Sequence, residues 1–271
     1  WKVDYQREQI GSSGDQQFVE RSIVNRAFTF NRQKGAAAHG RIGEGRPWDS
    51  QYWSGVFLGN GRGFLQDELT DQDHGDGKPM WVSRYQWNAL HGGVDFSQSD
   101  IERSPVPRLS LALGAALNRS RYTRFSGSGG GQLDGFARGD RGQYAVTQRL
   151  FDAAFKFRGF SFQHESHWKR ITDRATGRVT QLRGAYGQGG YFLHEVFPIA
   201  PRPLELAARW AFVDLSGSSA AERRSQLGMA INWFFEGHDN KLTLDLFQHR
   251  LAQRAGELTD LRVRLQWDIT I

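Results

Sequence analysis

Apolar and polar residues alternate at the C-terminal end of the chain. Over residues 261–271, LRVRLQWDITI, every odd position is apolar and every even position is polar. This period of two is typical of a β-strand whose two faces meet different environments. The run has the length of roughly 9 to 11 residues that a strand needs to cross a bilayer, whereas strands of soluble proteins are usually about 5 or 6 residues long.

The same alternation recurs upstream, for example over residues 227–235 and 242–246. A helix would scatter the leucines at 242, 244 and 246 around its axis, and glycines inside such segments would cost a helix about 1 kcal/mol each. The pattern therefore predicts about twelve strands, with ends accurate to a few residues. They lie near residues 1–10, 33–44, 50–59, 79–90, 106–120, 143–157, 160–170, 178–188, 203–215, 223–236, 240–251 and 260–271.

The connections between these predicted strands differ in length at the two ends. The longest are residues 11–32, 60–78 and 121–142, which all fall at one end and are rich in Gly, Asp and Ser. Residues 158–159 and 236–240 form short turns at the other end. Short inner turns and long outer loops are typical of an outer-membrane β-barrel, and this orientation places the C-terminus in the periplasm.

Two connections depart from that rule. Residues 91–105 and 190–202 are long, although they lie at the predicted inner end. They suggest an alternative function, in which the barrel is a structural partner in an outer-membrane complex with little transport and docks through these segments. An exposed apolar patch there, around Phe197, Pro198 and Ile199, would favour that alternative.

Composition narrows the class further. The chain of 271 residues contains no cysteine, so it has no disulfide framework and no thiolate metal site. No apolar run approaches the roughly 18 residues that a membrane-spanning helix needs. Strands of a closed barrel can also cross a membrane, and because they alternate apolar and polar residues they contain no such run. We expect one all-β antiparallel transmembrane barrel over residues 1–271, and because Trp1 falls within a strand-like pattern we expect N-terminal strands to be missing.

Several segments, taken in order, resemble the phosphate-selective porin family of the porin O and P type. The family has a Phe-acidic-Arg-Ser run that leads into an Arg-acidic-x-Gly strand entry, and residues 17–22 (QFVERS) and 31–35 (NRQKG) are similar to these. Further similar segments are residues 186–191 (YGQGGY), 204–209 (LELAAR), 227–234 (LGMAINWF) and 262–266 (RVRLQ). The resemblance implies a sixteen-stranded barrel in a homotrimer, with basic residues that guide anions to a narrow point.

The chain departs from the family pattern at two places. Family barrels usually end in phenylalanine, and this chain ends in Ile271. The family constriction carries a lysine three residues before a serine pair and an arginine nine residues after the first serine. Ser12, Ser13 and Arg21 match, but Gln9 stands at the lysine position, which puts tight phosphate selectivity in doubt.

The resemblance implies that the loop of residues 11–32 folds inward and forms the anion constriction. A permeating anion sheds part of its water, and fixed cations and hydroxyl groups replace the lost hydrogen bonds. Guanidinium suits phosphate because its planar fork makes two charge-assisted bonds. The candidates are Ser12, Ser13, Arg21, Arg26 and Arg32, and the alternative is that these arginines lie on an outer loop and bind lipopolysaccharide phosphates or solvent.

Three further arginines are expected to point into the lumen. Arg209, Arg262 and Arg264 occupy the polar positions of alternating segments. They would line the pore, or pair across the wall with Glu205, Asp245 and Asp268. Arg7 lies on the predicted first strand with an ambiguous face.

The remaining expectations concern partners and chemistry. A net charge of +6 indicates a preference for small inorganic anions rather than phosphate binding in particular. We expect contacts with outer-membrane lipid and lipopolysaccharide of a Gram-negative cell, but no nucleic acid, no cofactor, no metal and no catalytic residues. The acidic residues Asp71, Asp73 and Asp76 lack the spaced Glu of a calcium loop and predict a solvated outer loop that binds divalent ions at most loosely.

Overall fold

The protein folds as a single antiparallel sheet. A computed structural model describes residues 2–30, 32–58, 79–125, 131–215, 222–253 and 256–270. Within them eleven strands pair in the order of the sequence, so that β1 and β11 are the two ends of the sheet. The strands are β1 (Gly35–Ile42), β2 (Ser50–Phe57), β3 (Met80–Leu90), β4 (Arg108–Ser120), β5 (Tyr144–Phe157), β6 (Phe160–Asp173), β7 (Val179–Phe192), β8 (Leu204–Asp214), β9 (Arg223–Glu236), β10 (Asn240–Gln253) and β11 (Gly256–Ile269).

The prediction of a strand over residues 1–10 is wrong, so the described residues contain eleven strands where the sequence predicts about twelve. Two short helices precede β1, α1 (Arg7–Ile10) and α2 (Ile23–Phe28), and the described residues before Gly35 form no strand beyond an isolated bridge at Phe30. The alternation of Val3 and Tyr5 misleads because both side chains are buried in the interior rather than on an outer face. No described helix has both the length and the apolar character that crossing a membrane requires.

The strands carry their polar side chains inside and their apolar side chains outside. Along β9, for instance, Gln226 and Asn232 are buried, whereas Met229 is 64% exposed. On β4 and β5, Leu113 is 63% exposed while Asp152 is completely buried. We call the face with the buried residues inward and the other face outward. This polarity is the reverse of a water-soluble fold, and it is the pattern of a barrel wall in lipid.

An N-terminal inner segment, residues 2–30 and 32–34, packs against the inward face. Arg7 reaches β3, where its Nη2 donates to Gln86 Oε1 at 3.2 Å, and Lys241 of β10 donates to the carbonyl of Gly14 at 2.7 Å. Side chains along the segment, such as Tyr5, Arg7 and Phe18, are at most 2% exposed. The sheet therefore curves around the inner segment.

Apolar packing holds the second half of the inner segment. Val24 and Phe28 are buried in one cluster with inward residues such as Leu182. Gly184 of β7 permits this contact, because a Cβ at that position would lie 2.7 Å from Cε2 of Phe28. The phenyl ring of Phe28 also stacks on His167, with 5.2 Å between ring centroids.

One row of the outward face is charged. Cross-strand pairing places Arg149, Trp168, Arg183, Asp214 and Arg223 side by side on β5 to β9. An outward arginine costs about 2–4 kcal/mol at the bilayer midplane but only about 0–1 kcal/mol near the interface. We conclude that this outward arginine row, which also includes Arg170, marks the edge of the apolar band.

The distance to the other edge agrees with this conclusion. Phe157 at the far end of β5 lies eight residues from Arg149, which is about 26 Å along the strand. A tilt of about 40° reduces that to about 20 Å, close to the apolar band of about 25 Å in outer-membrane barrels.

Met229 tests the outward polarity, since it lies six residues from both Arg223 and Phe235. We expect Met229→Arg to lower the free energy of unfolding by about 2–4 kcal/mol in lipid vesicles, because an arginine then lies near the bilayer midplane. Urea unfolding followed by tryptophan fluorescence measures this change.

The matched control is Ala175→Arg, in the exposed turn between β6 and β7. It adds the same side chain outside the apolar band and is expected to leave the unfolding free energy within about 0.5 kcal/mol. An equally small effect of Met229→Arg would contradict the assignment of this face to lipid.

Candidate functional site

Buried charges join the start of the inner segment to the wall. Arg7 of α1 lies 3.5 Å from one carboxylate oxygen of Asp152, and Arg84 of β3 pairs with the other oxygen. The guanidinium of Arg84 also donates to the carbonyl of Tyr5 at 3.1 Å. Because the single Asp152 carboxylate is shared by two guanidinium groups, α1, β3 and β5 are held at one point.

A second buried group surrounds Glu8. Its carboxylate accepts hydrogen bonds from the backbone N–H and the hydroxyl of Ser22, at 2.7 and 2.8 Å, and it faces Nη2 of Arg209 at 3.6 Å. The N–H of Glu8 donates to Glu165 of β6 at 2.7 Å. Burial raises the pKa of Glu8, and the positive charge of Arg209 opposes that shift. Glu8 thus fixes the turn of the segment between α1 and α2.

Gln17 is the third attachment point. Its amide group donates to Ser161 of β6 and Glu205 of β8, both at 2.9 Å. Gln188 of β7 donates to its side-chain oxygen at 3.0 Å, and Asn232 of β9 donates to its carbonyl at 3.0 Å. One side chain and its own backbone therefore connect four neighbouring strands.

Both signs of charge are present where the inner segment meets the wall. Arg7 and Arg84 pair with Asp152, and Arg209 faces Glu8. Lys241 lies 3.8 Å from Asp268, whereas Lys169 donates to the carbonyl of Ala27. The acids are Glu8, Asp152, Glu165, Glu205 and Asp245, and the bases are Arg7, Arg84, Lys169, Arg209 and Lys241. Compensation is physically required, because an unpaired charge in a buried site costs several kcal/mol.

The opposite side of the inner segment is exposed and basic. Ser12, Ser13, Arg26 and Arg32 are all exposed on it. They are four of the five residues predicted for the constriction, and the fifth, Arg21, is partly buried.

Lys2 and Arg21, which are both partly exposed, converge on the carbonyl oxygen of Gly11, directly before the exposed Ser12. Lys2 Nζ donates to the carbonyl of Gly11 at 3.2 Å, and Arg21 Nη2 donates to the same oxygen at 3.0 Å. The pKa of Lys2 is lowered by burial first and then by the positive charges of Arg21 and Arg32, while Asp15 and Asp4 oppose these effects. Two cations thus lie together directly beside Ser12.

The three arginines expected in the lumen have different surroundings. Arg209 is only 1% exposed; it donates to Gln188 and to the carbonyl of Glu20, both at 2.8 Å, and lies over the ring of Phe18. Arg264 makes two hydrogen bonds of 2.9 Å to Asp245 and also pairs with Glu20.

Arg262 is half exposed and lies 3.6 Å from Asp260. It shares the inward face of β11 with Arg264, since both oppose inward residues of β10. Arg209 and Arg264 therefore anchor the inner segment, whereas Arg262 is the more accessible of the three.

Sequence analysis missed the central groups of the buried network. Arg84 and Asp152 occupy polar positions of alternating strands, and that alternation could have identified both as inward-facing. The sequence did not predict the contact between Lys2 and Gly11, because this contact depends on how helix α1 between them folds. Arg7 lies on α1 rather than on a strand, so the question of its strand face does not arise.

Metal-binding groups are not brought together in the part of the chain that the structure describes, where no three His, Asp or Glu side chains could hold an ion. Asp71, Asp73 and Asp76 lie outside the described residues.

Asp152 tests the buried network. We expect Asp152→Asn to lower the free energy of unfolding by about 3–5 kcal/mol, because two buried guanidinium groups lose their carboxylate partner. The measurement is urea unfolding of the full chain in lipid vesicles.

Asp134→Asn is the matched control, since Asp134 is 62% exposed and pairs with the partly exposed Arg224 at 2.8 Å. This substitution is expected to cost less than about 1 kcal/mol. Equal costs for the two variants would mean that Arg7 and Arg84 do not depend on Asp152.

A comparison with protein families agrees with the all-β fold. The family model described as "Phosphate-selective porin O and P" matches residues 1–250. A search of curated proteins found no match. The family indicates a channel of the bacterial outer membrane rather than an enzyme. Since the match covers most of the sequence, from the inner segment to β10, the chain belongs to the phosphate-selective porin O and P family.

Proposed function

We propose that the protein is a porin for passive diffusion of small anions, and that the exposed side of the inner segment lines the narrowest part of the pathway. The observation that carries the proposal is the convergence of Lys2 and Arg21 on the carbonyl of Gly11, next to the exposed Ser12 and Ser13. The family match supports phosphate as one of the anions.

The proposal includes closure of the sheet into a barrel. In lipid every backbone N–H and C=O group needs a partner, and the outer edges of β1 and β11 would otherwise present unpaired groups. The curvature around the inner segment brings the sheet towards a closed form. Sixteen strands and a homotrimer, which the family resemblance implies, are parts of the same proposal, as is a periplasmic C-terminus.

The charge distribution supports the exposed side of the inner segment as the side that faces the ion. The side against β3 to β10 is buried and carries both signs of charge, so it offers no space to an anion. The exposed side offers the hydroxyl groups of Ser12 and Ser13 and the positive charges of Lys2, Arg21, Arg26 and Arg32. Such groups replace the water that an anion loses at a constriction.

Lys2 supplies a positive charge where the family pattern has lost one. Gln9 stands at the lysine position of the family, but Lys2 reaches the carbonyl oxygens of Ile10 and Gly11 from a different point of the chain. Because Gly11 directly precedes Ser12, the ammonium group of Lys2 lies beside the serine pair. We propose that anion preference here depends on Lys2 in place of a lysine at position 9.

Single-channel recording of the full chain in a planar bilayer tests this role. We expect Lys2→Gln to reduce the ratio of anion to cation permeability and to weaken block by added phosphate about tenfold, which corresponds to about 1.4 kcal/mol. Introducing Gln9→Lys into the same variant should restore both, because it returns the charge to the serine pair.

Lys34→Gln is the matched control, since Lys34 is an exposed lysine at the end of the inner segment. It removes the same charge and is expected to leave phosphate block unchanged. If the two variants behave alike, Lys2 has no special role; if the folded wild-type protein carries no current, the porin proposal itself fails.

The lowered pKa of Lys2 gives a pH dependence. An amine whose pKa is lowered from 10.5 loses its proton at a lower pH than an ordinary exposed lysine, so anion preference should begin to fall below the pH at which such lysines titrate. Reversal potentials recorded from pH 7 upwards measure this effect. Lys2→Gln should remove that early fall, and a wild-type profile that coincides with the variant would contradict the assignment.

A second candidate function is a structural role in an outer-membrane complex. The connection between β7 and β8 exposes Val196, Phe197 and Ile199, the last of which is 98% exposed. Such an apolar surface outside the strands suits contact with a partner. Folded protein that carries no current, together with purification in complex with another envelope protein that is lost on Ile199→Asp, would favour this function.

A further inference from the structure

We propose that the outward arginine row binds the phosphate groups of lipopolysaccharide, with the acyl chains lying on the apolar surface next to it. The proposal rests on the membrane location given under the proposed function, but it concerns the outer surface of the wall and not the anion pathway.

Strand pairing builds the row. Arg149 opposes Trp168, Trp168 opposes Arg183, Arg183 opposes Asp214, and Asp214 opposes Arg223. Arg149 and Arg183 are two strands apart, as are Arg183 and Arg223, which gives a spacing of about 10 Å between successive arginines. Rigid strands rather than loops thus present the guanidinium groups at a regular interval.

The row has more positive charge than the protein compensates. Arg183 and Arg223 each lie 3.4 Å from the same oxygen of Asp214. Arg149 and Arg170 have no ion-pair partner among the described residues. The row therefore contains four guanidinium groups and one carboxylate. A phosphate group can pair with a guanidinium through two charge-assisted hydrogen bonds.

An apolar hollow adjoins the charges. Its volume is about 1130 Å³, and its lining includes Leu113, Phe151 and Trp168 together with the arginines. Phosphate above apolar chains is the chemistry of a lipid headgroup. A free inorganic anion would use the arginines alone and would leave this surface without a function.

The position of the row favours the outer leaflet. It lies at the end of the sheet where residues 58–79 and 121–143, the two longest connections between successive strands, join β2 to β3 and β4 to β5. The longest connections of an outer-membrane barrel lie at its external end. The lipid of that leaflet in a Gram-negative cell is a phosphorylated glycolipid, so the charges, the apolar hollow and the location agree on one class of ligand.

Native mass spectrometry of the full chain with hexa-acylated, diphosphorylated lipid A tests the proposal. We expect Arg149→Gln/Arg170→Gln to weaken lipid A binding about tenfold, the loss of a charge-assisted contact. This pair is chosen because neither side chain has an ion-pair partner in the described part of the chain, so their removal leaves the fold intact. Dephosphorylated lipid A should bind the wild type as weakly as lipid A binds the variant.

The matched control is Arg46→Gln/Arg202→Gln, which removes two exposed arginines from connections at the opposite end. It should retain lipid A as the wild type does. Equal losses for both pairs, no loss for the first pair, equally strong binding of phosphatidylglycerol, or a change of oligomeric mass in the first variant would each overturn the proposal.

Conductance separates this inference from the proposed function. The variant Arg149→Gln/Arg170→Gln is expected to conduct anions as the wild type does, because both residues face away from the lumen. A wild-type chain that retains lipid A but carries no current would overturn the porin proposal and leave the lipid site standing. A chain that conducts anions but binds lipid A equally well with and without Arg149 and Arg170 would overturn the lipid site and leave the porin proposal standing.

Discussion

The backbone hydrogen bonds of the sheet are the constraint on which the rest of the structure depends. A wall in lipid has no water to satisfy its N–H and C=O groups, so each strand must pair with the next over its whole length. That pairing fixes a two-residue period, with apolar side chains towards lipid and polar side chains towards the interior. The inward polar groups then need partners of their own, since unmatched buried charges are costly.

The inner segment supplies those partners. Arg7 is placed against Asp152, Glu8 against Arg209, and Gln17 against several strands at once. These groups pair with one another on the buried side, while Arg21, Arg26 and Arg32 add positive charge to the other side of the segment. The same piece of chain thus carries a buried network that holds it in place and an exposed basic surface, which we propose faces the permeating ion.

The arginines of this chain consequently fall into three groups with different physical roles. Arg7, Arg84 and Arg209 are buried and ion-paired, and they fix the inner segment. Arg21, Arg26 and Arg32 belong to the segment and add positive charge to its exposed side. Arg149, Arg170, Arg183 and Arg223 face outward at one edge of the apolar band, where phosphate groups of lipid are the available partners. The net charge of +6 by itself distinguishes none of these groups.

Much of the fold could be predicted from the chain alone. The two-residue period locates all eleven strands to within a few residues, because alternation between two faces is a local property of each segment. The same period misleads at residues 1–10, where Val3 and Tyr5 alternate because they are buried in the interior and not because they face lipid. The apolar character of a side chain indicates that it avoids water. It does not indicate whether the side chain packs in the protein interior or faces lipid.

The tertiary structure alone decides which residues act together. The serine pair and Arg21 are recognisable from spacing, but the approach of Lys2 to Gly11 depends on the helical turn of α1 between them. The outward arginine row is spread over about 75 residues of sequence, and only the register of β5 to β9 places its members side by side. Periodicity along one strand determines the face on which a residue lies, whereas its neighbours on that face are determined by how the strands pair.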